Sequence, residues 1–149
     1  MSSSDTAAAS IPAGFEDLFR GEALALLATL RRDGTPHLTP VWIDLDEDGM
    51  VLVNARADRV KALNMNRRGD VAVCIVDPAN PYRFVSVTGV VESASEEGAL
   101  AHMDTLARRY LRVSRYPWAS PGERRLLFRI RPARIIADAG EDDVPAPEF

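Results

Sequence analysis

Ala23 to Ala55, ALALLATLRRDGTPHLTPVWIDLDEDGMVLVNA, is the stretch that decides the fold. Three apolar runs are separated by two short polar ones. The first polar run carries Asp33-Gly34, a strong signal for a tight antiparallel hairpin, and the second, DEDG at 46–49, reads as another turn. Residues 23–30 are apolar enough for a buried strand. Residues 37–45 alternate, with Leu38, Pro40, Trp42 and Asp44 on one side and Thr39, Val41, Ile43 and Leu45 on the other. Residues 50–55 supply a third strand. The expectation is a three-stranded antiparallel meander.

Outward from this core, the pattern changes period. After Ala55, Asp58 is a good helix N-cap, Val60, Leu63 and Met65 follow at helical spacing, and Gly69 is a stop. DVAVCIV (70–76) reads as a fourth strand. RFVSVTGVVES (83–93) reads as a fifth, with Gly89 at a bulge or kink. Ser93 and Glu96 fit a capping box for a long amphipathic helix that presents Leu100, Met103, Leu106, Ala107, Tyr110 and Leu111 on one face. Residues 124–137 form a last strand, and GFEDLFR (14–20) fits a short helix near the start. Hairpin-linked strands with one short and one long inserted helix imply a mainly β fold, a six-stranded antiparallel barrel. Closure removes exposed edges. An open sheet with the long helix across it is the alternative. Residues 1–13 are expected to be a disordered tail, 14–138 the folded domain and 139–149 an acidic flexible tail.

Composition narrows the function. The chain has 149 residues, 46% hydrophobic and 27% charged, with a formal net charge of -4. That suits one soluble domain and argues against a nucleic-acid partner. The single cysteine, Cys74, excludes an internal disulfide and a cysteine zinc cage, and its apolar neighbours suggest a core thiol. No run approaches the ~18 apolar residues of a membrane span. The start lacks the cationic and apolar regions of a secretory signal, so a cytoplasmic protein is expected. There is no G-x-S-x-G, no paired histidines and no metal-ligand spacing. His37 and His102 read as structural or solvent-facing.

One local feature stands against simple electrostatics. Arg59 and Lys61, the chain's one lysine, fall in the first turn of the expected helix. A helix start is already partly positive and disfavours cations by roughly 0.3–1 kcal/mol each. Its free N–H groups bind anions, phosphate above all, and a forked donor and a point charge would complete such a site. Plain solvated surface charge is the bland alternative.

Three stretches, taken in order, resemble a known family: ALLATLRRDGTPHLTPVWIDLDEDG, LVNARADRVKALNMNRRGDVAVCIVDP and YRFVSVTGVVE. They are similar to the pyridoxamine 5'-phosphate oxidase-like split β-barrel flavoproteins, and within them to the deazaflavin-dependent oxidoreductases that use coenzyme F420. The resemblance covers about residues 20–137. It implies a homodimer with the cofactor at the subunit interface and a small-molecule substrate. By resemblance, Arg59 and Lys61 hold the cofactor phosphate, Thr39, Pro40, Val41 and Trp42 lie against its rings, Val53, Asn54 and Ala55 line the same cleft, and Asn64 contacts the phosphate or ribityl region. Arg-Val-Lys replaces the adjacent Arg-Lys of true pyridoxamine phosphate oxidases. The last strand also lacks their arginine–histidine pair, so pyridoxal-phosphate synthesis is not expected.

The activity implied is hydride transfer from reduced F420 to an unsaturated, electron-poor small molecule. The cofactor carries the chemistry, so no catalytic side chain need show. The alternatives are an FMN-binding oxidoreductase of the same fold and a non-catalytic split-barrel module that binds cofactor or haem. Arg56 can join the phosphate cluster. Tyr82-Arg83 offers an interface or cofactor-tail contact. The loop with Tyr116 and Trp118 offers either substrate or dimer contacts.

Overall fold

The computed structural model describes residues 9–140, and the expected behaviour of residues 1–8 and 141–149 lies outside the described residues. A 3-10 turn at Ala13–Phe15 leads into α1 (Asp17–Arg20). Then come β1 (Ala25–Leu30), β2 (Pro36–Val41), β3 (Asp44–Leu45), β4 (Val51–Arg56), α2 (Val60–Arg67), β5 (Asp70–Asp77), β6 (Asn80–Ser95), α3 (Ala99–Tyr110) and β7 (Arg125–Asp138).

All seven strands form one antiparallel sheet in the order β2-β1-β5-β6-β7-β4-β3. β2 and β3 stand at opposite ends of that order, yet only Trp42 and Ile43 separate them in the chain. The sheet must therefore curl until its edges meet, which is the split β-barrel. The expected single strand 37–45 is broken at this point, so there are seven strands where six were expected. β2 pairs with β1 (Leu30↔Pro36) and β3 with β4 (Leu45↔Val51). The meander is thus split. β1 has β5 as its other neighbour, and β4 has β7.

Both hairpins close in the same way. The Gly34 N–H donates to the Arg31 carbonyl and the Gly49 N–H to the Asp46 carbonyl. Each glycine has a positive φ, 88° and 80°. Gly89 sits at a register shift between β6 and β7, where an added Cβ would stand 2.6 Å from the Arg131 carbonyl oxygen.

Period-two alternation fills the barrel. Ala25 and Leu27 of β1, Val51 and Val53 of β4, Val73 and Ile75 of β5, and Phe128 and Ile130 of β7 point inward, with Phe19 of α1 plugging the same core. β4 is buried on both faces because α3 covers its outer side: Asn54 Nδ2 donates to the Ala99 carbonyl at 2.7 Å. Cys74 is not in the core. Val73 and Ile75 take the inward positions, which turns the half-buried thiol to the outer face, where burial pushes its pKa up.

Helix starts also differ from expectation. Arg59, not Asp58, occupies the N-cap of α2, in extended conformation and without a capping side chain. The Asp58 carboxylate is engaged instead by Arg56, at 3.2 and 3.0 Å. Ser93 lies within β6, which runs on to Ser95. Gly98, at φ 80°, opens α3, and Glu96 pairs with Arg124. At the N-terminus the body begins earlier than residue 14: the Ala9 N–H donates to the Pro132 carbonyl, and Ile11 is buried in the core. Among the described residues no helix is long and apolar enough to cross a membrane.

Candidate functional site

A cleft of about 510 Å³ opens where β2, β4, α2, α3 and the loop before β7 meet. One wall is apolar, built by Leu24, Pro40, Val41 and Trp42 on one side and Met103 and Leu106 of α3 on the other. The same cleft is lined by four cations, Arg56, Arg59, Lys61 and Arg125.

Strand and helix geometry produce this arrangement. β4 ends at Arg56 and the chain turns at once into α2. Asn54, Ala55 and Arg56 therefore lead from the barrel wall to Arg59 and Lys61 at the helix start. Lys61 is half-buried and Arg59 exposed. Neither has a carboxylate partner among the described residues, whereas Arg56 is paired with Asp58 and Arg125 with Glu123. Burial pushes the Lys61 pKa below its usual value, and the Arg59 and Arg125 charges push it the same way. A lysine so placed favours an anion that would offset both effects.

Of the residues expected to hold a cofactor, Pro40, Val41, Trp42, Asn54, Arg59 and Lys61 line this cleft. Val53 does not. It alternates with Asn54 and so points into the barrel core, fully buried. Asn64 does not either. Its Nδ2 donates to Thr29 Oγ1 at 3.0 Å and its Oδ1 accepts from Arg67 at 2.8 Å, which ties α2 to the barrel end. Thr39 is half-buried on β2 and is not part of the cleft wall. Arg83 serves the scaffold, bonded to Asp17, Asp77 and the Gly14 carbonyl.

Aromatic side chains roof the cleft. Trp42 stacks on Tyr110 and meets Tyr116 edge-on at 6.1 Å, and Tyr116 meets Trp118 edge-on at 5.7 Å. The Arg125 guanidinium lies 4.7 Å from the Tyr116 ring centre. Leu24, Met103, Leu106 and Arg125 were not legible as cleft residues. Met103 and Leu106 read only as a helix's apolar face, and Arg125 as one of several basic residues on the last strand.

Behind Asn54 lies a half-buried polar network. His102 Nε2 lies 2.9 Å from Asp44 Oδ2, and His102 Nδ1 lies 3.2 Å from Asn54 Nδ2. Arg109 donates to Asp44 Oδ1 at 2.6 Å. Burial pushes the Asp44 carboxyl up, but hydrogen bonds from His102, Arg109 and the Leu45 N–H prevail and lower it to about 2.

Three comparisons place the chain among known proteins. The F420H(2)-dependent biliverdin reductase of Mycobacterium tuberculosis is 29% identical over 117 residues, spanning 78% of this chain and 80% of that protein. A solved F420 reductase superimposes with a TM-score of 0.73 at 29% identity, covering 85% of this chain and 98% of that one. A conserved hypothetical protein from Mycobacterium tuberculosis shares the fold, with a TM-score of 0.71 at 24% identity over 95% of this chain and 93% of its own. Residues 11–137 match the pyridoxamine 5'-phosphate oxidase model, and the chain belongs to that family.

Proposed function

We propose that the protein is an F420H2-dependent reductase acting on an unsaturated, electron-poor small molecule. The observation that carries this reading is the pairing of half-buried Lys61 and exposed Arg59, both without carboxylate partners among the described residues, with an apolar and aromatic wall in one cleft. Such a cleft suits a flat ring system joined to an anionic tail. When bound, the deazaflavin supplies the hydride.

The chain's own residues bind and orient. Arg59 and Lys61 hold the anionic tail, with Arg56 beside them. Pro40, Val41 and Trp42 back the rings, and Met103 and Leu106 exclude water from the opposite wall. The named activities of two relatives, an F420H(2)-dependent biliverdin reductase and an F420 reductase, support F420 over FMN. An extended conjugated acceptor fits the same reading.

The reading includes a homodimer. The outer face of β2, β1 and β5 carries Leu38, Leu26 and Val76, 64%, 43% and 42% exposed, and Leu24 beside them is 54% exposed. Register places Leu26 beside Pro40 on one side and Cys74 on the other. Exposed apolar surface of this extent calls for a partner. Leu24 and Pro40 belong to both this face and the cleft wall, so a second copy seated there would complete the site.

Parallel titration of the purified protein with F420 and FMN, followed by ligand fluorescence, tests the cofactor. F420 is expected to bind at least tenfold tighter. Equal or tighter FMN binding overturns the assignment in favour of an FMN-dependent oxidoreductase. Sedimentation at micromolar concentration tests the dimer, and a monomer mass would remove the interfacial site.

A further inference from the structure

Behind Asn54 of the cleft wall, buried and half-buried polar side chains from β3, α3, β4, β7 and the loop before β7 form one continuous chain that backbone pairing does not require. Asp44 accepts from His102, His102 meets Asn54, Asn54 Oδ1 accepts from Arg125 Nη1 at 3.2 Å, and Arg125 Nε donates to Glu123. The side chains of Asp44, His102, Arg125 and Glu123 are 14%, 12%, 5% and 2% exposed.

The Asn54 carboxamide is fixed from two sides. The Ala99 carbonyl can only accept, so the Asn54 atom 2.7 Å from it is the NH2 group. Arg125 can only donate, so the atom facing it is the oxygen. One NH2 hydrogen goes to Ala99 and the other points at His102 Nδ1. That nitrogen must then be an unprotonated acceptor, and Nε2 carries the proton given to Asp44.

We propose that His102 is a positioning residue for the cleft. Neutral and protonated on Nε2, it keeps both Asn54 donors turned inward, so the wall offers the Asn54 oxygen beside the Arg125 guanidinium. That pattern selects a ligand edge with a hydrogen-bond donor next to an acceptor, as in a ring amide or imide. The ligand class rests on the cofactor reading above; the tautomer does not.

The groups facing His102 are Asp44 from β3 and Asn54 from β4. Arg109, on α3 itself, holds Asp44 from the other side, and Arg125 and Glu123 stand behind Asn54. A second proton on His102 would set Nδ1–H against the Asn54 NH2, donor against donor. Turning the amide over would set its NH2 against Arg125 and its oxygen against the Ala99 carbonyl. Protonation therefore breaks the arrangement whichever way Asn54 turns.

Nitrogen NMR of the full chain, without ligand, tests the tautomer. The chain has two histidines, told apart by His37→Gln. At about pH 7.5, His102 should show an unprotonated Nδ1 and a protonated Nε2. The Asn54 side-chain amide signal should move as His102 titrates. An Nδ1–H tautomer, an imidazolium at that pH, or an Asn54 signal indifferent to the titration overturns the proposal.

Binding supplies the second arm, with F420 and FMN as probes. His102→Leu, which leaves the second Asn54 donor without an acceptor, should lower the affinity about tenfold, and His102→Asn, whose carboxamide oxygen stands where Nδ1 does, should restore most of it. An affinity of His102→Leu equal to that of the wild type overturns the role in ligand positioning. If neither probe binds at any pH, the cofactor reading fails, and the NMR result still decides the role of His102.

Discussion

Trp42 lies flat against Tyr110, with ring centres 5.1 Å apart and planes within 4°. The Tyr110 hydroxyl donates to the Ala23 carbonyl at 2.8 Å and accepts from the Ile43 N–H at 3.1 Å. One side chain of α3 therefore pins the place where the chain leaves β2, crosses the split and enters β3.

Tyr110→Phe keeps the stack and removes both hydrogen bonds. The Ile43 N–H and the Ala23 carbonyl lose a partner, which should cost about 1–3 kcal/mol. Urea unfolding measures it. A cost near zero would mean that the stack alone holds the crossing.

Removing the cleft cations should separate binding from folding. Lys61→Met and Arg59→Gln should each weaken F420 binding about ten- to a hundredfold, the value of a charge-assisted hydrogen bond. Arg59→Lys should also weaken it, because a point charge cannot reproduce a forked contact. Lys61→Met should not lower stability. Burial and the Arg59 and Arg125 charges disfavour the charged lysine in the folded state at every pH below its folded pKa, and methionine relieves that cost. Titration calorimetry beside thermal unfolding checks both halves.

Asp44 should shape the acid limb of stability. Its folded pKa lies near 2, below the ordinary 3.8, so the carboxylate stabilises the fold above the unfolded value. That contribution, about 2 kcal/mol, drains away as pH falls from 3.8 towards about 2. Asp44→Asn should lose it at neutral pH and show a flatter acid limb. Urea midpoints measured across that range decide it; parallel acid limbs for the two proteins would assign the acid sensitivity to other carboxylates.

Ile11 makes the N-terminal boundary testable. Removing residues 1–8 leaves Ile11 and the Ala9–Pro132 bond in place, whereas removing 1–12 takes both away. The longer deletion, like Ile11→Ala, should cost about 2 kcal/mol or more, the range for emptying a core isoleucine site. Equal melting temperatures for the two truncated chains would show that Ile11 contributes little.

The sequence alone determined what depends on near neighbours. Asp-Gly turns, alternation along 37–45 and the apolar spacing of α3 are local signals, and they produced a β-barrel with a long amphipathic helix. The cation pair at Arg59 and Lys61 was legible for the same reason, since four residues span the turn and its charges. Facing was legible only partly. Period-two alternation turns Val53 into the barrel core and Asn54 away from it, and α3 covering β4 masked which side was which. Asp58 illustrates a different limit: its carboxylate pairs with Arg56, and the helix starts one residue later, with Arg59 at the N-cap.

What tertiary structure decided is everything that joins distant segments. Breaking 37–45 at Trp42 sends its halves to opposite edges of the sheet, and only curling brings those edges together. That curl, with α3 laid across β4, brings Asp44, Asn54, His102 and Arg125 into one hydrogen-bonded set whose bonded partners stand 58, 48 and 71 residues apart along the chain. No local pattern encodes such a set. A histidine in an amphipathic helix looks solvent-facing until the strand beneath it supplies an amide and the β-bridge beside it a carboxylate.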